Sequence, residues 1–114
     1  MKGRFGSKQR IEHAIDAIAE IENYITGQTV EQFLENSMMR FACIKQLEII
    51  GEACNHIDAD TMAKYPAIEW RKVIGLRNLL IHEYFGIDAI LVWDIIQNDL
   101  FPLKSQLSTI VLGM

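Results

Sequence analysis

Apolar residues near the start of the chain recur every three or four positions, and this spacing is the strongest constraint on the fold. Six such residues lie between Lys8 and Ile25, with the period of an amphipathic helix. Ser7 is the expected N-cap of this helix. Similar patterns follow along the chain, and no β-type alternation is sustained anywhere. Four main helices with short connections predict an all-α, up-down bundle of four to five helices.

Residues with known roles at helix ends predict where the first helices stop and start. Gly27 is expected to end the first helix, and Thr29 with Gln32 three positions later is the signature of a capping box for a short helical turn. A long helix is expected over about 37–57. Gly51 inside that helix predicts close packing against a neighbouring element.

The second half of the chain is divided in the same way. Residues 58–66 lose the helical period and are expected to be a connector, ending in a proline that suits the first turn of a helix over about 67–84. Gly86 is expected to stop that helix, and Asp88 to cap the last one. Pro102 predicts a kink or a restart within the last helix.

Length and charge limit what the chain can do. With 114 residues, half of them hydrophobic, it fits one domain over 1–114, with residues 1–7 as a flexible extension. The net charge of −4 disfavours non-specific binding to nucleic acid. Any contact with RNA would therefore depend on local basic groups, and two clusters of them stand out: Lys2, Arg4, Lys8 and Arg10, and Arg71, Lys72 and Arg77. The first cluster could equally be only the solvated face of a helix.

The two cysteines and the absence of targeting signals predict a cytoplasmic protein. Cys43 and Cys54 are eleven positions apart in one expected helix, about 16 Å along its axis, which is too far for a disulfide. Two unpaired thiols suit a reducing compartment. The basic start is followed by an amphipathic pattern and not by the apolar core of a secretory signal, and no apolar run is long enough to span a membrane.

The segment from Arg77 to Tyr84, hereafter the motif segment, holds the residues best suited to chemistry. A histidine such as His82 can both accept and donate a proton near neutral pH. The fixed charge of Arg77 matches a phosphate or its more highly charged transition state, and Asn78 could orient either group. These side chains could cleave RNA without a metal or another cofactor, and the sequence contains no common metal-binding motif.

Helical spacing does not bring this set together on one ideal helix. At 100° per residue, Tyr84 returns to about 20° from Arg77, whereas His82 lies about 140° away. Asn78 and His82 share a stripe. Either the helix is irregular near Leu80, or a second copy of the chain supplies its own arginine and histidine to one shared cleft. We favour a homodimer, because one small bundle has little concave surface.

Three other interpretations of the motif segment remain open. One is a purely structural helical dimer, in which Arg77 and His82 are buried in satisfied hydrogen bonds. An arginine and a histidine near a helix C-terminus often only bind the last carbonyls and interact with the helix dipole. Alternatively, Arg77 and His82 could hold a nucleotide or a partner's phosphate in a non-catalytic binding module, which the acidic net charge would suit.

Other polar and aromatic residues are expected to be structural. Glu48 and Glu52, one helical turn apart, are interpreted as an ion-pair network with Arg40 and not as a catalytic carboxylate pair. Trp70 and Trp93 are expected to anchor the core or an interface.

The pattern R-x4-H-x-Y at Arg77, His82 and Tyr84 resembles the signature of the HEPN superfamily. Its surroundings resemble the HepT-like ribonuclease toxins of type VII toxin–antitoxin systems, and the resemblance extends over about residues 8–107. Besides the signature, the matching stretches are 49–53, 65–70, 75–88 and 92–93.

This resemblance implies a small helical homodimer that cleaves RNA, with tRNA as a candidate substrate, in a cleft formed by Arg77 and His82 of both copies. It implies no metal. It also implies a nucleotidyltransferase antitoxin as partner, which would neutralise the toxin by transferring AMP to Tyr84. A bulky anionic group there would obstruct RNA and repel its phosphates.

Overall fold

The computed structural model describes residues 6–79 and 89–114, and every regular element in these ranges is helical, which confirms the all-α prediction. No helix in these ranges has the length and apolar character needed to cross a membrane. The elements are α1 (Ser7–Ile25), α2 (Val30–Glu35), α3 (Ser37–Asn55), α4 (Ala59–Lys64), α5 (Trp70–Gly75), a 3₁₀ turn (Leu76–Asn78), α6 (Ala89–Ile95), a π turn (Ile96–Leu100) and α7 (Phe101–Leu112).

The two long helices form the centre of the bundle. α1 packs along α3, and α3 also packs against α5 and the 3₁₀ turn. α7 covers α1, while α2 contacts both α3 and α6. One continuous apolar core results, because the long helices bury the apolar stripes that their periodicity predicts. Its fully buried side chains include Ile11, Ile18, Ile21, Ile44, Leu47 and Ile50.

The start of α1 differs from the prediction that Ser7 is its N-cap. Gly6 is the N-cap, and it makes no side-chain capping bond. Ser7 is the first helical residue, although it lies within the range 1–7 that we expected to extend from the domain. Its hydroxyl donates to Oδ2 of Asp58 at 2.9 Å and accepts from the Asp58 N–H at 3.1 Å. The hydroxyl is therefore engaged in a long-range contact instead of capping its own helix.

Residues 58–66 are not the irregular connector that we predicted. Asp58 caps the short helix α4 by accepting from the Thr61 N–H at 2.7 Å. The following helix, α5, then begins at Trp70 and not at Ala67. The indole N–H of Trp70 donates to the carbonyl oxygens of Met62 and Tyr65, at 3.2 and 3.1 Å. This buried tryptophan fixes the turn before α5, which confirms that it is a core anchor.

The capping box before α2 forms as predicted. The Gln32 N–H donates to the hydroxyl of Thr29 at 3.1 Å, and the Thr29 N–H donates to the Gln32 side chain at 2.8 Å. Gly27, just after α1, has φ of +74°, a conformation that glycine adopts without strain. Phe33 of α2 is buried against Trp93 of α6, with ring centroids 5.1 Å apart.

The last helix restarts near Pro102, as predicted, through a π turn. α7 begins at Phe101 with the proline in its first turn, where no intrahelical N–H is needed. Val92, Ile96 and Leu100, each four positions apart, are all buried, so the apolar face of α6 continues through the π turn. The predicted stop at Gly86 and the predicted cap at Asp88 lie outside the described residues.

The predicted ion-pair network around Arg40 is wrong. The Arg40 guanidinium donates to the carbonyl oxygens of α2 residues Leu34 and Phe33, at 2.6 and 3.4 Å. These carbonyls lie in the last turn of α2, where such groups often lack an intrahelical donor, so the guanidinium caps the helix end and pairs with no described acid. Glu48 lies 3.9 Å from the ammonium of Lys45, and Glu52 lies 3.1 Å from a ring nitrogen of His56.

Candidate active site

The 3₁₀ turn after α5 carries Arg77 and Asn78. Trp70 and Val73 bury the inner face of α5, and the chain then tightens over Leu76–Asn78. We predicted one continuous helix from residue 67, so this part of the prediction is wrong. A 3₁₀ segment winds more tightly than 100° per residue, so the angles calculated for an ideal helix do not hold over Leu76–Asn78.

Gly51 of α3 lies directly against the backbone of this turn. A Cβ atom at position 51 would lie 2.5 Å from the Arg77 nitrogen, 2.9 Å from the Ile74 carbonyl oxygen and 3.1 Å from the Arg77 Cβ. Side chains do not tolerate the two shorter distances. Only glycine therefore allows α3 and the 3₁₀ turn to approach so closely, which confirms the close packing predicted from the sequence.

The side chains of Arg77 and Asn78 are exposed. Within residues 6–79 and 89–114, neither side chain makes a hydrogen bond or an ion pair. The nearby Lys72 pairs with Asp99, with 3.6 Å between the ammonium and the carboxylate. No described residue occupies the Arg77 guanidinium, and the described residues give no support to an interpretation in which it only binds helix carbonyls.

The structure does not place the other predicted site residues. His82 and Tyr84 lie outside the described residues, as does Leu80, where we expected an irregularity. Arg77 and Asn78 are therefore brought together on one turn, and their geometry relative to the histidine and tyrosine stays a prediction. In the two described ranges, no group of three or more His, Cys, Asp or Glu side chains has an arrangement that could hold a metal ion.

A groove of about 540 Å³, which the sequence did not predict, lies beside this turn. It is lined by residues of α5, the 3₁₀ turn, the π turn and α7. Both members of the Lys72–Asp99 pair belong to this lining. Leu76 lines this groove, whereas Arg77 is not among its lining residues. One wall is the π turn, whose only signal in the sequence was Pro102. Its apolar lining includes Val73, Leu76, Leu100 and Leu103.

Comparison with known families gives a match to the model described as "Ribonuclease HepT-like", over residues 14–110. The chain belongs to the HepT-like ribonuclease family. The matched range includes α3, the 3₁₀ turn with Arg77, and the whole motif segment. The family resemblance inferred from the sequence is therefore confirmed.

Named relatives of this HepT-like chain agree with the family match. A protein of Methanocaldococcus jannaschii, named provisionally as an RNase, is 46% identical over 79 residues, which cover 69% of this chain and 72% of the relative. A protein of Thermococcus cleftensis, named provisionally as ribonuclease HepT, is 37% identical over 99 residues, covering 87% of this chain and 90% of the relative. The comparison with solved structures gives no significant match.

Proposed function

We propose that this HepT-like chain is the toxin of a toxin–antitoxin system and acts as a metal-independent endoribonuclease, with tRNA as a candidate substrate. Arg77 and His82 are the proposed catalytic residues, and Asn78 supports them. The observation that carries the proposal is the exposed guanidinium of Arg77, which no described residue engages, on a turn whose backbone is fixed against α3. The fork of donors that extends from this fixed backbone matches two oxygens of a phosphate.

The proposed reaction needs two proton transfers and one site of charge stabilisation. The ribose 2′-oxygen attacks the adjacent phosphorus as its proton leaves, and the bond from phosphorus to the 5′-oxygen breaks as that oxygen takes up a proton. His82 performs one of these transfers, since imidazole can act as base or acid near neutral pH. Arg77 neutralises the charge that develops on the phosphate oxygens.

A homodimer supplies the concave site that this chemistry requires. Arg77 is exposed outside the groove beside α5, so one copy alone surrounds the guanidinium only in part. A second copy related by a twofold axis would bring its own Arg77 and His82 to the same cleft. Enclosure would exclude water and strengthen the interaction between the guanidinium and the phosphate.

The proposed antitoxin is a nucleotidyltransferase that uses ATP. The phenol oxygen of Tyr84 would attack the α-phosphorus, the phenol would lose its proton, and pyrophosphate would leave. The product is an AMP ester on Tyr84. Its negative charge would lie two positions from His82 in the sequence and would repel the phosphates of RNA.

The test is cleavage of total tRNA by the purified wild-type chain in excess EDTA, beside Arg77→Ala and His82→Ala prepared identically. We expect cleavage by the wild type alone. Because the Arg77 side chain is exposed and unpaired in the described part of the chain, its removal should change the free energy of unfolding by less than about 0.5 kcal/mol. Thermal unfolding of all three proteins checks this.

The other outcomes are informative in different ways. No cleavage by any of the three proteins would contradict the ribonuclease proposal and favour a non-catalytic module that binds nucleotides or a partner. Equal cleavage by all three would show that neither residue is catalytic. A parallel loss of activity and stability would make Arg77 a structural residue.

A further inference from the structure

Gly51 contacts the candidate active site through the backbone and not through a side chain. The atoms closest to a Cβ built at this position are the nitrogen of Arg77, the carbonyl oxygen of Ile74 and the Cβ of Arg77. Two of the three belong to Arg77 itself. The contact at position 51 therefore sets the distance between α3 and the backbone of Arg77.

The contact cannot be relieved by a change of rotamer, because its two shortest distances involve backbone atoms. An ordinary contact of a Cβ atom begins at 3.4 Å, whereas the distance to the Arg77 nitrogen would be 2.5 Å. A methyl group at position 51 would thus have to separate α3 from the 3₁₀ turn by about 0.9 Å at this point. The whole Arg77 residue would move with its backbone.

We propose that Gly51 is a positioning residue for RNA cleavage: by lacking a side chain, it lets α3 hold the backbone of Arg77 where the guanidinium meets the scissile phosphate. This inference rests on the proposed function of Arg77. Gly51 touches no substrate. Its only effect is on the position of the 3₁₀ turn that carries Arg77.

Other residues of α3 supply the contacts that stabilise the helix, so a positioning role of Gly51 can be distinguished from a structural one. Leu47, Ile50 and Cys54 are fully buried and supply its apolar contacts. Gly51 adds no side chain to that core, and its distinctive contact is with the turn that carries Arg77. If Gly51 were only structural, its replacement would act on stability as a replacement of these neighbours does. If it positions Arg77, only its own replacement would lower cleavage in a folded chain.

The chain offers two matched controls. Gly75, at the end of α5, has helical torsion angles, and a Cβ added there would meet nothing within 4 Å. Gly75→Ala therefore adds the same methyl group at the end of α5, where it displaces no backbone. Ile50→Val removes a methylene group from the core of α3 next to Gly51 without adding an atom to the contact.

The first readout is kcat/KM for RNA cleavage, at a temperature where circular dichroism shows every variant to be folded. We expect Gly51→Ala to lose about 100-fold, because a misplacement of about 1 Å has an effect of that size on a positioned catalytic group. Gly75→Ala and Ile50→Val should cleave at the wild-type rate.

The second readout is the salt dependence of RNA binding, measured with His82→Ala in the background so that RNA stays intact. Each phosphate contact contributes about 0.7 to the slope of log Kd against log salt for a single strand. Gly51→Ala should reduce that slope by about 0.7, to the value given by Arg77→Ala. A change in stability alone would not move this slope in a folded protein.

The outcomes separate this inference from the proposed function. Wild-type cleavage or an unchanged salt slope in folded Gly51→Ala would overturn the role of Gly51 and leave the function of Arg77 intact. A Gly51→Ala chain that folds at no temperature would assign the contact to the fold and also overturn it. If the wild type itself does not cleave RNA, the proposed function fails, and the salt slope still tests the position of Arg77.

Discussion

Arginine suits position 77 for a reason of shape as well as charge. Its guanidinium presents several N–H donors in one plane, which matches two oxygens of a phosphate, whereas lysine offers only a point charge. The exposed side chain of Arg77 is also not engaged by any described residue, so binding a phosphate would break no ion pair with the described part of the chain. These properties suit a side chain whose role is to bind a phosphate.

Tyr84 is the residue at which we expect regulation. Incubation of the folded chain with the proposed nucleotidyltransferase partner and ATP should add the mass of one AMP to a peptide that contains Tyr84, because a phenol oxygen can attack the α-phosphorus. Mass spectrometry of the digested protein measures this. Tyr84→Phe lacks the oxygen and should stay unmodified. Modification at Tyr24 or Tyr65 instead would contradict the assignment.

At the scale of the helix, the two thiols of α3 make stability depend on pH. Burial raises the pKa of Cys43 and of Cys54 from 9.0 to about 12. The folded chain therefore keeps both protons at pH values where the unfolded chain has lost them. Their stabilising contribution is fully present below pH 9.0 and is lost as the pH rises from there toward about 12.

We therefore expect the free energy of unfolding to fall more steeply above pH 9.0 in the wild type than in a Cys43→Ala, Cys54→Ala double variant. Urea unfolding at a series of pH values measures the difference. Lysine and tyrosine titrate in the same range, but they are common to both proteins and cancel in the comparison. Identical pH profiles would show that the thiols are not shielded from water.

Local signals in the sequence predicted some elements well and others not at all. The capping box of Thr29 and Gln32 could be predicted because all its partners lie within four residues. The start of α1 could not, because the hydroxyl of Ser7 binds Asp58 far along the chain. α4 was missed since it is short and has no buried residue, so it shows no apolar period.

The same distinction applies to the candidate site. The residue types of the motif segment and the tight packing at Gly51 could be predicted from local sequence. The 3₁₀ turn and the groove could not, because they depend on how α5 meets α3 and the π turn. Helical periodicity assumes a regular helix, and the chain departs from one at Leu76–Asn78.

At the scale of the whole molecule, the question is whether one cleft uses residues of both copies. If Arg77 of one copy acts with His82 of the other, a mixed dimer of Arg77→Ala and His82→Ala chains keeps one intact pair. Coexpression of the two inactive chains should therefore restore measurable cleavage of tRNA. The purified mixed dimer would be assayed beside each variant alone. Inactivity of a confirmed mixed dimer would show that the pair acts within one copy.

The two tryptophans lie on either side of the motif segment in the sequence. Trp70 opens α5 with its indole bound to two carbonyls, and Trp93 packs on Phe33 in α6. Indole emission responds to packing and to nearby water, so each ring is a built-in optical reporter for one flank of the motif segment. Binding of RNA, pairing of two copies or attachment of AMP could thus be followed by intrinsic fluorescence, with Trp70→Phe and Trp93→Phe separating the two signals.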